Sequence, residues 1–244
     1  MPIKQPLFYP TELFWRQLRF PTPPTKSGYL FVAWFTEKDG GGSVVLTNNT
    51  IFQKNTTIYA HWTEPYKHEQ FLTDDRDGKT YAYVEITGKR WMAENLSWDG
   101  AEDGKPAIPA VGVCYDDDPA NCEIYGRLYA HNDALTACPE GWFLPTLTDW
   151  LAVENEYGIN SGGGAEKFRS KGYWGAARLG TDEFGFSALP AGIVNQRGAY
   201  ADLGNSTWIW SLEPTDVMSL GNIGVTSGIA SSRPAKASVR CVQD

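Results

Sequence analysis

Four cysteines and three histidines are the side chains of this sequence best suited to bind a metal or to take part in nucleophilic catalysis. The cysteines form no Cys-x-x-Cys motif, and the three histidines are far apart in the chain. Zinc sites usually take their ligands in closely spaced pairs, and a catalytic triad needs a histidine beside its nucleophile. The sequence therefore predicts neither kind of site from Cys114, Cys122, Cys138, Cys241, His61, His68 and His131.

Two other enzyme signatures are incomplete. Glycoside hydrolysis needs two carboxylates that face each other across a bond, whereas Asp182 and Glu183 are adjacent and belong to a predicted turn. The glycine-rich stretch 161–168, SGGGAEKF, lacks the Gly-Lys-Ser/Thr of a phosphate-binding loop. We therefore expect no enzymatic activity.

The stretch DDRDG at 74–78 has a partial calcium-loop pattern. Arg76 occupies the second ligand position, and no glutamate follows at the end of the loop. We interpret Asp74, Asp75 and Asp77 as turn residues and expect no cofactor, with structural calcium left as an unsupported alternative.

The four cysteines leave two alternatives open. An even number of cysteines in an acidic, turn-rich chain favours two disulfides and an oxidising compartment. The alternative, four reduced and buried thiols in a cytosolic protein, is less favoured.

The composition of the chain limits which partners and which fold classes remain. The net charge of −8 argues against nucleic acid and anionic membranes as partners. No run of 18 apolar residues predicts a transmembrane helix, and no signal peptide or anchor is visible. With 244 residues, 42% of them hydrophobic, the chain can form one large or two small cores. The many glycines and prolines and the scarcity of helical periodicity predict an α+β fold that is mostly β.

The elements begin after an arm, residues 1–21, whose structure the sequence does not predict. Residues 29–35, 43–46 and 57–62 read as short strands, and Asp39-Gly40-Gly41 predicts a hairpin turn. Residues 22–64 resemble the Listeria–Bacteroides repeat of internalin B-repeats. The residues that carry the resemblance are Ser27-Gly28-Tyr29, Ala33-Trp34-Phe35 and the ending NTTIYAHWT at 55–63. That resemblance implies a small β-grasp-like module that serves as a spacer at cell surfaces.

A predicted linker at 65–71 leads to a hairpin. Ala82, Val84 and Ile86 alternate with polar residues, Thr87-Gly88-Lys89 turns, and residues 90–93 return. Further along, Thr146 and Asp149 form a capping box at the start of a helix that Gly158 ends.

Five blocks that follow this hairpin in order are similar to the Fibrobacter succinogenes major paralogous domain. They are CYDDDPANCEIYGRLY at 114–129, ACPEGWFLPTLTDW at 137–150, TDEFGFSALPAG at 181–192, WIWS at 208–211 and SVRCV at 238–242. The resemblance implies a C-type-lectin-like domain over 72–244, related to retroelement variable proteins. In that fold a cysteine near the first main helix bonds a cysteine on the last strand, so the resemblance implies a Cys138–Cys241 disulfide and leaves Cys114 to pair with Cys122.

The resemblance also points to a binding face. In a lectin-like fold the segment that corresponds to 212–237 contributes to the exposed ligand-binding surface, and here it contains no aromatic residue. Glu213-Pro214-Thr215 is similar to the Glu-Pro-Asn of calcium-dependent lectins, but threonine replaces the asparagine ligand. We expect an exposed face with Trp210 at its floor, formed by Trp210, Glu213, Asp216, Met218, Asn222, Val225 and Arg233.

These observations predict an extracellular or bacterial cell-surface protein that binds a protein or glycan on another cell or surface. One form of this hypothesis is a variable protein of a diversity-generating retroelement. A structural surface or fimbria-associated subunit without a small ligand is the alternative, and an enzyme similar to the formylglycine-generating enzyme is a remote one.

Overall fold

The computed structural model describes residues 24–39, 44–45, 57–102, 105, 109–158, 164–174, 179–213, 216–221, 224–226 and 233–244. Strands contribute more of these residues than helices do, which confirms a mostly β chain with a few short helices. The predicted arm at 1–21 and the predicted turn at 40–42 lie outside the described residues.

The N-terminal sheet has the strand order β2-β1-β3, with β1 at Leu30–Phe35, β2 at Val44–Val45 and β3 at Tyr59–Thr63. A register shift between Phe31 and Ala33 interrupts the pairing of β1 with β3. The rings of Phe31 and Trp34 meet edge to face at 5.5 Å and form a small core of their own. The three strands lie within two residues of the predicted ones.

A four-stranded sheet follows, in the order β12-β6-β5-β4. Its members are β4 at Phe71–Thr73, β5 at Thr80–Ile86, β6 at Lys89–Met92 and β12 at Val242–Gln243. The predicted hairpin is present, and Thr87 and Gly88 both have positive φ (53° and 75°), as a two-residue type I′ turn requires. Because β12 pairs with β6, the end of the chain lies beside this hairpin.

A five-stranded sheet has the order β11-β10-β9-β7-β8. Its strands are β7 at Ala191–Val194, β8 at Tyr200–Leu203, β9 at Thr207–Trp210, β10 at Val217–Gly221 and β11 at Gly224–Thr226. The pairing of β7 with β9 is parallel, whereas the other pairs are antiparallel.

In the described part of the chain between β6 and β7 lie three short α-helices: α1 at Pro119–Tyr125, α2 at His131–Ala134 and α3 at Leu147–Tyr157. The predicted capping box is present, because Asp149 N donates to Thr146 Oγ1 at 3.2 Å and Thr146 N donates to Asp149 Oδ2 at 2.8 Å. Gly158 ends α3 in the left-handed conformation, also as predicted.

The core consists of two apolar clusters, and β9 and β10 lie between them. Ile209 and Met218 belong to the cluster around Trp91 and Trp150. Trp210 and Val217, one residue away in each strand, belong to the cluster around Met92 and Tyr129. Both faces of these strands are therefore covered by apolar side chains.

The N-terminal sheet contacts the rest of the chain through Tyr173. The backbone N–H of Tyr173 donates to Phe31 O at 2.6 Å, and its ring lies 6.5 Å from that of Phe31. The connecting segment 65–70 contains no helix or strand. The ring of Tyr66 nevertheless packs so closely on Gly185 that a side chain at position 185 would clash with it. Phe71, which the sequence placed in the linker, is the first residue of β4.

Candidate binding face

The segment 212–237 leaves the end of β9 and returns beside Tyr129. At its start, Leu212 N donates to Pro145 O at 2.9 Å. At its end, Ala237 and Tyr129 exchange two backbone hydrogen bonds of 2.8 and 3.0 Å. Both ends of the segment are therefore tied to parts of the chain that are distant in sequence.

Glu213 is a capping residue of α3. Its Oε2 accepts a 3.0 Å hydrogen bond from Leu147 N, the first N–H of the helix. The first N–H groups of a helix have no partner within it, and the helix dipole favours an anion at that end. The carboxylate predicted to face a ligand is therefore already bonded to the chain itself.

Asp216 and Met218 are not exposed, and this part of the prediction is wrong. Asp216 is 7% exposed and Met218 is 1% exposed. Met218 belongs to β10, which is covered on both faces, so its sequence VMSLG lacks the alternation that marks a half-buried strand. The missing alternation results from burial on both faces.

Trp210 lies beneath Arg233, as expected of a floor residue, but its indole is fully buried. Its Nε1 donates to Tyr129 O at 2.8 Å, and the ring of His131 meets it edge-on at 5.1 Å. The guanidinium carbon of Arg233 lies 5.0 Å from the ring centre, a cation–π distance. Trp210 therefore supports Arg233 and offers no open ring face to a ligand.

The other predicted residues are only partly described. Asn222 lies outside the described residues, and Val225 stands in β11 opposite Leu220. Arg233 is half-buried. Of the described part of the segment, the side chains that reach solvent are those of Leu212, which is 46% exposed, and the half-buried Glu213, Ser219, Arg233, Ala235 and Lys236.

The sequence did not predict the role of Arg240, which joins the segment after β6 to the segment before β7. Arg240 is fully buried, its Nε donates to Asn95 Oδ1 at 2.7 Å, and its Nη2 donates to Ser187 O at 3.0 Å. Burial lowers the pKa of the guanidinium, and the nearby Asp182 and Glu94 oppose that effect. The only signal in the sequence was an arginine between the apolar Val239 and Cys241, where a charge must find partners.

Both predicted disulfides are present. Cys114 bonds Cys122 with 5.0 Å between the Cα atoms, and Cys138 bonds Cys241 with 5.8 Å. The second bond joins the segment between α2 and α3 to the residue directly before β12.

The DDRDG stretch is a turn stabilised by its own arginine. Arg76 Nη2 lies 2.7 Å from Asp74 Oδ2 and also donates to Ala137 O at 2.6 Å. In the described ranges, no group of three or more His, Cys, Asp or Glu side chains is placed to hold a metal ion. Nor does any helix of the described residues have the length and apolar character that a membrane span requires.

Comparison with known families identifies two parts of the chain. The family model of the Listeria-Bacteroides repeat domain matches residues 16–61, six residues earlier than the predicted start, and that of the Fibrobacter succinogenes major domain matches residues 84–243. No solved structure matches the chain. The two domains together indicate a surface-type protein, and the two disulfides are compatible with an extracellular one. Because the second match covers well over half of the 244 residues, the chain belongs to the Fibrobacter succinogenes major domain family.

Proposed function

We propose that this protein is a non-enzymatic, extracellular or cell-surface ligand-binding protein whose C-type-lectin-like domain displays a binding face. Its ligand is a protein or glycan on another cell or surface. The observation that carries the proposal is that both ends of the segment 212–237 are fixed, by Pro145 and α3 at one end and by Tyr129 at the other.

The fixed ends allow the residues between them to vary. Exposed substitutions usually change stability by less than about 0.5 kcal/mol, whereas the strands that hold the segment are buried. A variable protein of a diversity-generating retroelement requires this combination of exposed residues that can vary and buried strands that do not. The Cys138–Cys241 bond supports the lectin-like assignment, because in that fold a cysteine near the first main helix is tied to the last strand.

The proposed face is smaller than the sequence predicted. With Asp216 and Met218 buried, its described members are Leu212, Ser219 and the half-buried residues from Arg233 to Lys236. Arg233 is its best placed anchor, because the contact with Trp210 fixes the guanidinium while part of it reaches solvent. Arginine is one of the residues most often responsible for binding energy at interfaces.

A second candidate is a structural surface or fimbria-associated subunit. The observation in its favour is the absence of any aromatic residue from 212–237, because tryptophan and tyrosine dominate the energetics of most binding surfaces.

Binding by a triple variant separates the two. The full chain would be screened on arrays of glycans and extracellular proteins, and the detected ligand would then be titrated against Leu212→Ser/Arg233→Ser/Lys236→Ser. We expect binding to weaken at least tenfold, a loss of about 1.4 kcal/mol.

The matched control is Leu135→Ser/Arg197→Ser/Lys105→Ser, because Leu135 is 47% exposed, nearly equal to Leu212, and lies outside the face. Equal affinities of the two variants would contradict the proposed face. A folded wild-type chain that binds nothing on either array would favour the structural subunit.

A further inference from the structure

A cleft of about 430 Å³ lies at the junction between the N-terminal sheet and the rest of the chain. Its lining includes Leu30 of β1 and Tyr66 and His68 of the connecting segment. The rest of the lining comes mainly from α1, from the start of β5 and from the segment that follows β6. The volume is within the range of about 300–1,000 Å³ that is usual for small-molecule sites, which often lie between domains.

The back of this cleft is rigid because its polar groups already have partners. Asn95 Nδ2 donates to Tyr125 O at 2.8 Å, and its Oδ1 accepts the 2.7 Å bond from Arg240. Ser187 Oγ donates to Asp182 Oδ2 at 2.7 Å and lies 3.3 Å from His68 Nε2. Burial, and secondarily the charge of Arg240, lower the pKa of His68, which favours the neutral imidazole at this wall.

The rim of the cleft, in contrast, has hydrogen-bonding groups that have few or no partners in the chain. Thr80 and Glu123 form no side-chain hydrogen bond or ion pair with any other residue that the structure describes. Glu94 accepts only a long 3.4 Å bond from Ala82 N. Lys79 Nζ reaches Ser97 O at 2.6 Å and lies 3.5 Å from Asp77 Oδ2, so one of its three N–H groups is left to donate.

The lining restricts the charge of an occupant. The two glutamates at the rim disfavour an anion, and Lys79, whose charge Asp77 partly balances, adds a hydrogen-bond donor beside them. Between these groups the walls include the apolar side chains of Leu30, Ile124 and Leu189 and the ring of Tyr66. A neutral ligand that has hydroxyl groups on its edges and C–H groups on its faces matches this mixture of acceptors, donors and apolar surface.

We propose that the cleft binds a neutral saccharide of one or two sugar units. This site goes beyond the proposed function, because none of its lining residues belongs to 212–237. Since Leu30 comes from the N-terminal sheet, Tyr66 from the connecting segment and the rim from the rest of the chain, a bound saccharide also fixes the N-terminal sheet against the rest.

The test uses the full chain and a defined panel of glucose, galactose, N-acetylglucosamine, cellobiose, lactose and chitobiose. Saturation-transfer NMR detects binding at millimolar concentration, and calorimetry measures the affinity of the best sugar. We expect at least one neutral sugar to bind and to slow tryptic cleavage after Lys67 in the connecting segment.

Two variants locate the site. Ile124→Trp fills the cleft and should weaken binding at least tenfold, while the matched Leu151→Trp on α3, at a site that is 39% exposed and outside the cleft, should bind as the wild type does. Thr80→Val removes one rim hydroxyl with little change of shape and should weaken binding about threefold to tenfold. The melting temperature of each variant shows whether it is folded, and Thr80→Val serves as the site test if Ile124→Trp does not fold.

Three results would overturn the proposal. They are the absence of binding by every neutral sugar, binding that the cleft variants leave unchanged, and preferential binding of the charged analogues sialic acid or glucosamine. The triple variant of the 212–237 face should retain saccharide binding in the cleft, so failure of one proposal is distinguishable from failure of the other.

Discussion

Glu213 links the end of β9 to the start of α3 through a single carboxylate oxygen, 66 residues from its partner Leu147 in sequence. The capping box formed by Thr146 and Asp149 satisfies donors within the first turn, and Glu213 adds a partner for the N–H of Leu147. Lys89 Nζ lies 2.9 Å from Asp149 Oδ1 and balances part of the negative charge that gathers at this helix end. A residue that resembles a calcium ligand in sequence is thus explained by helix capping.

Removing this cap should destabilise the domain. Glu213→Ala leaves Leu147 N without its partner, and we expect the free energy of unfolding to fall by about 1 kcal/mol, as for other lost N-terminal caps. Urea unfolding measures the change, with Glu140→Ala as the control because Glu140 is exposed and forms no side-chain hydrogen bond or ion pair with the described residues. Equal losses in the two variants would show that the bond to α3 contributes nothing.

At the scale of elements, the burial of β10 decides how much of the segment 212–237 is free to vary. β10 lies between β9 and β11, with Val217 in one apolar cluster and Met218 and Leu220 in the other. A strand so placed cannot be varied without a cost in packing, and truncating a buried methionine to alanine typically costs about 2–5 kcal/mol. Variation is therefore restricted to the residues around this strand.

The two disulfides should contribute unequally to stability. Cys138–Cys241 spans 103 residues and Cys114–Cys122 spans 8. On the chain-entropy model the longer loop is worth about 4.7 kcal/mol and the shorter about 2.5 kcal/mol. Replacing both cysteines of a pair with alanine should therefore lower the melting temperature more for the Cys138–Cys241 pair, as differential scanning calorimetry would detect. The reverse order would mean that packing, and not loop closure, dominates.

At the scale of the whole molecule, the N-terminal sheet is docked through a few aromatic contacts. Phe31 of the N-terminal core packs against Tyr173, and the ring of Tyr173 also meets that of Tyr125 at 5.7 Å. The connecting segment follows the surface, with Tyr66 against Gly185 and His68 against Ser187. Domain boundaries usually lie in exposed segments with few contacts. This segment differs, because two of its side chains pack against the larger part of the chain.

Docking of the connecting segment should protect it from trypsin. We expect slow cleavage after the exposed Lys67 in the wild type, and at least tenfold faster cleavage in Tyr66→Ala, because the protease acts on the opened form of the segment. Tyr29→Ala is the matched control, since Tyr29 is 39% exposed and lies in the N-terminal part away from Gly185. Rapid cleavage of the wild type at this bond, as mass spectrometry would show, would instead indicate a free hinge.

The sequence by itself determined the features that depend on neighbours in the chain. The hairpin around Thr87-Gly88, the capping box of α3 and its stop at Gly158 follow from turn and capping preferences that act over a few residues. The disulfide pairs followed from the family resemblance, because ordered blocks place Cys138 and Cys241 at known positions of a fold.

Only the tertiary structure decided which side chains are exposed, which partners distant residues find and where the cleft lies. Met218 and Asp216 are buried because a second layer covers β10, and Glu213 and Arg240 find partners that are remote in sequence. Hydrophobic alternation reveals exposure only for a strand with one face in water, and it is lost both in a loop and in a strand covered on two faces. What separates those two cases is the arrangement of the neighbouring layers, which local sequence does not contain.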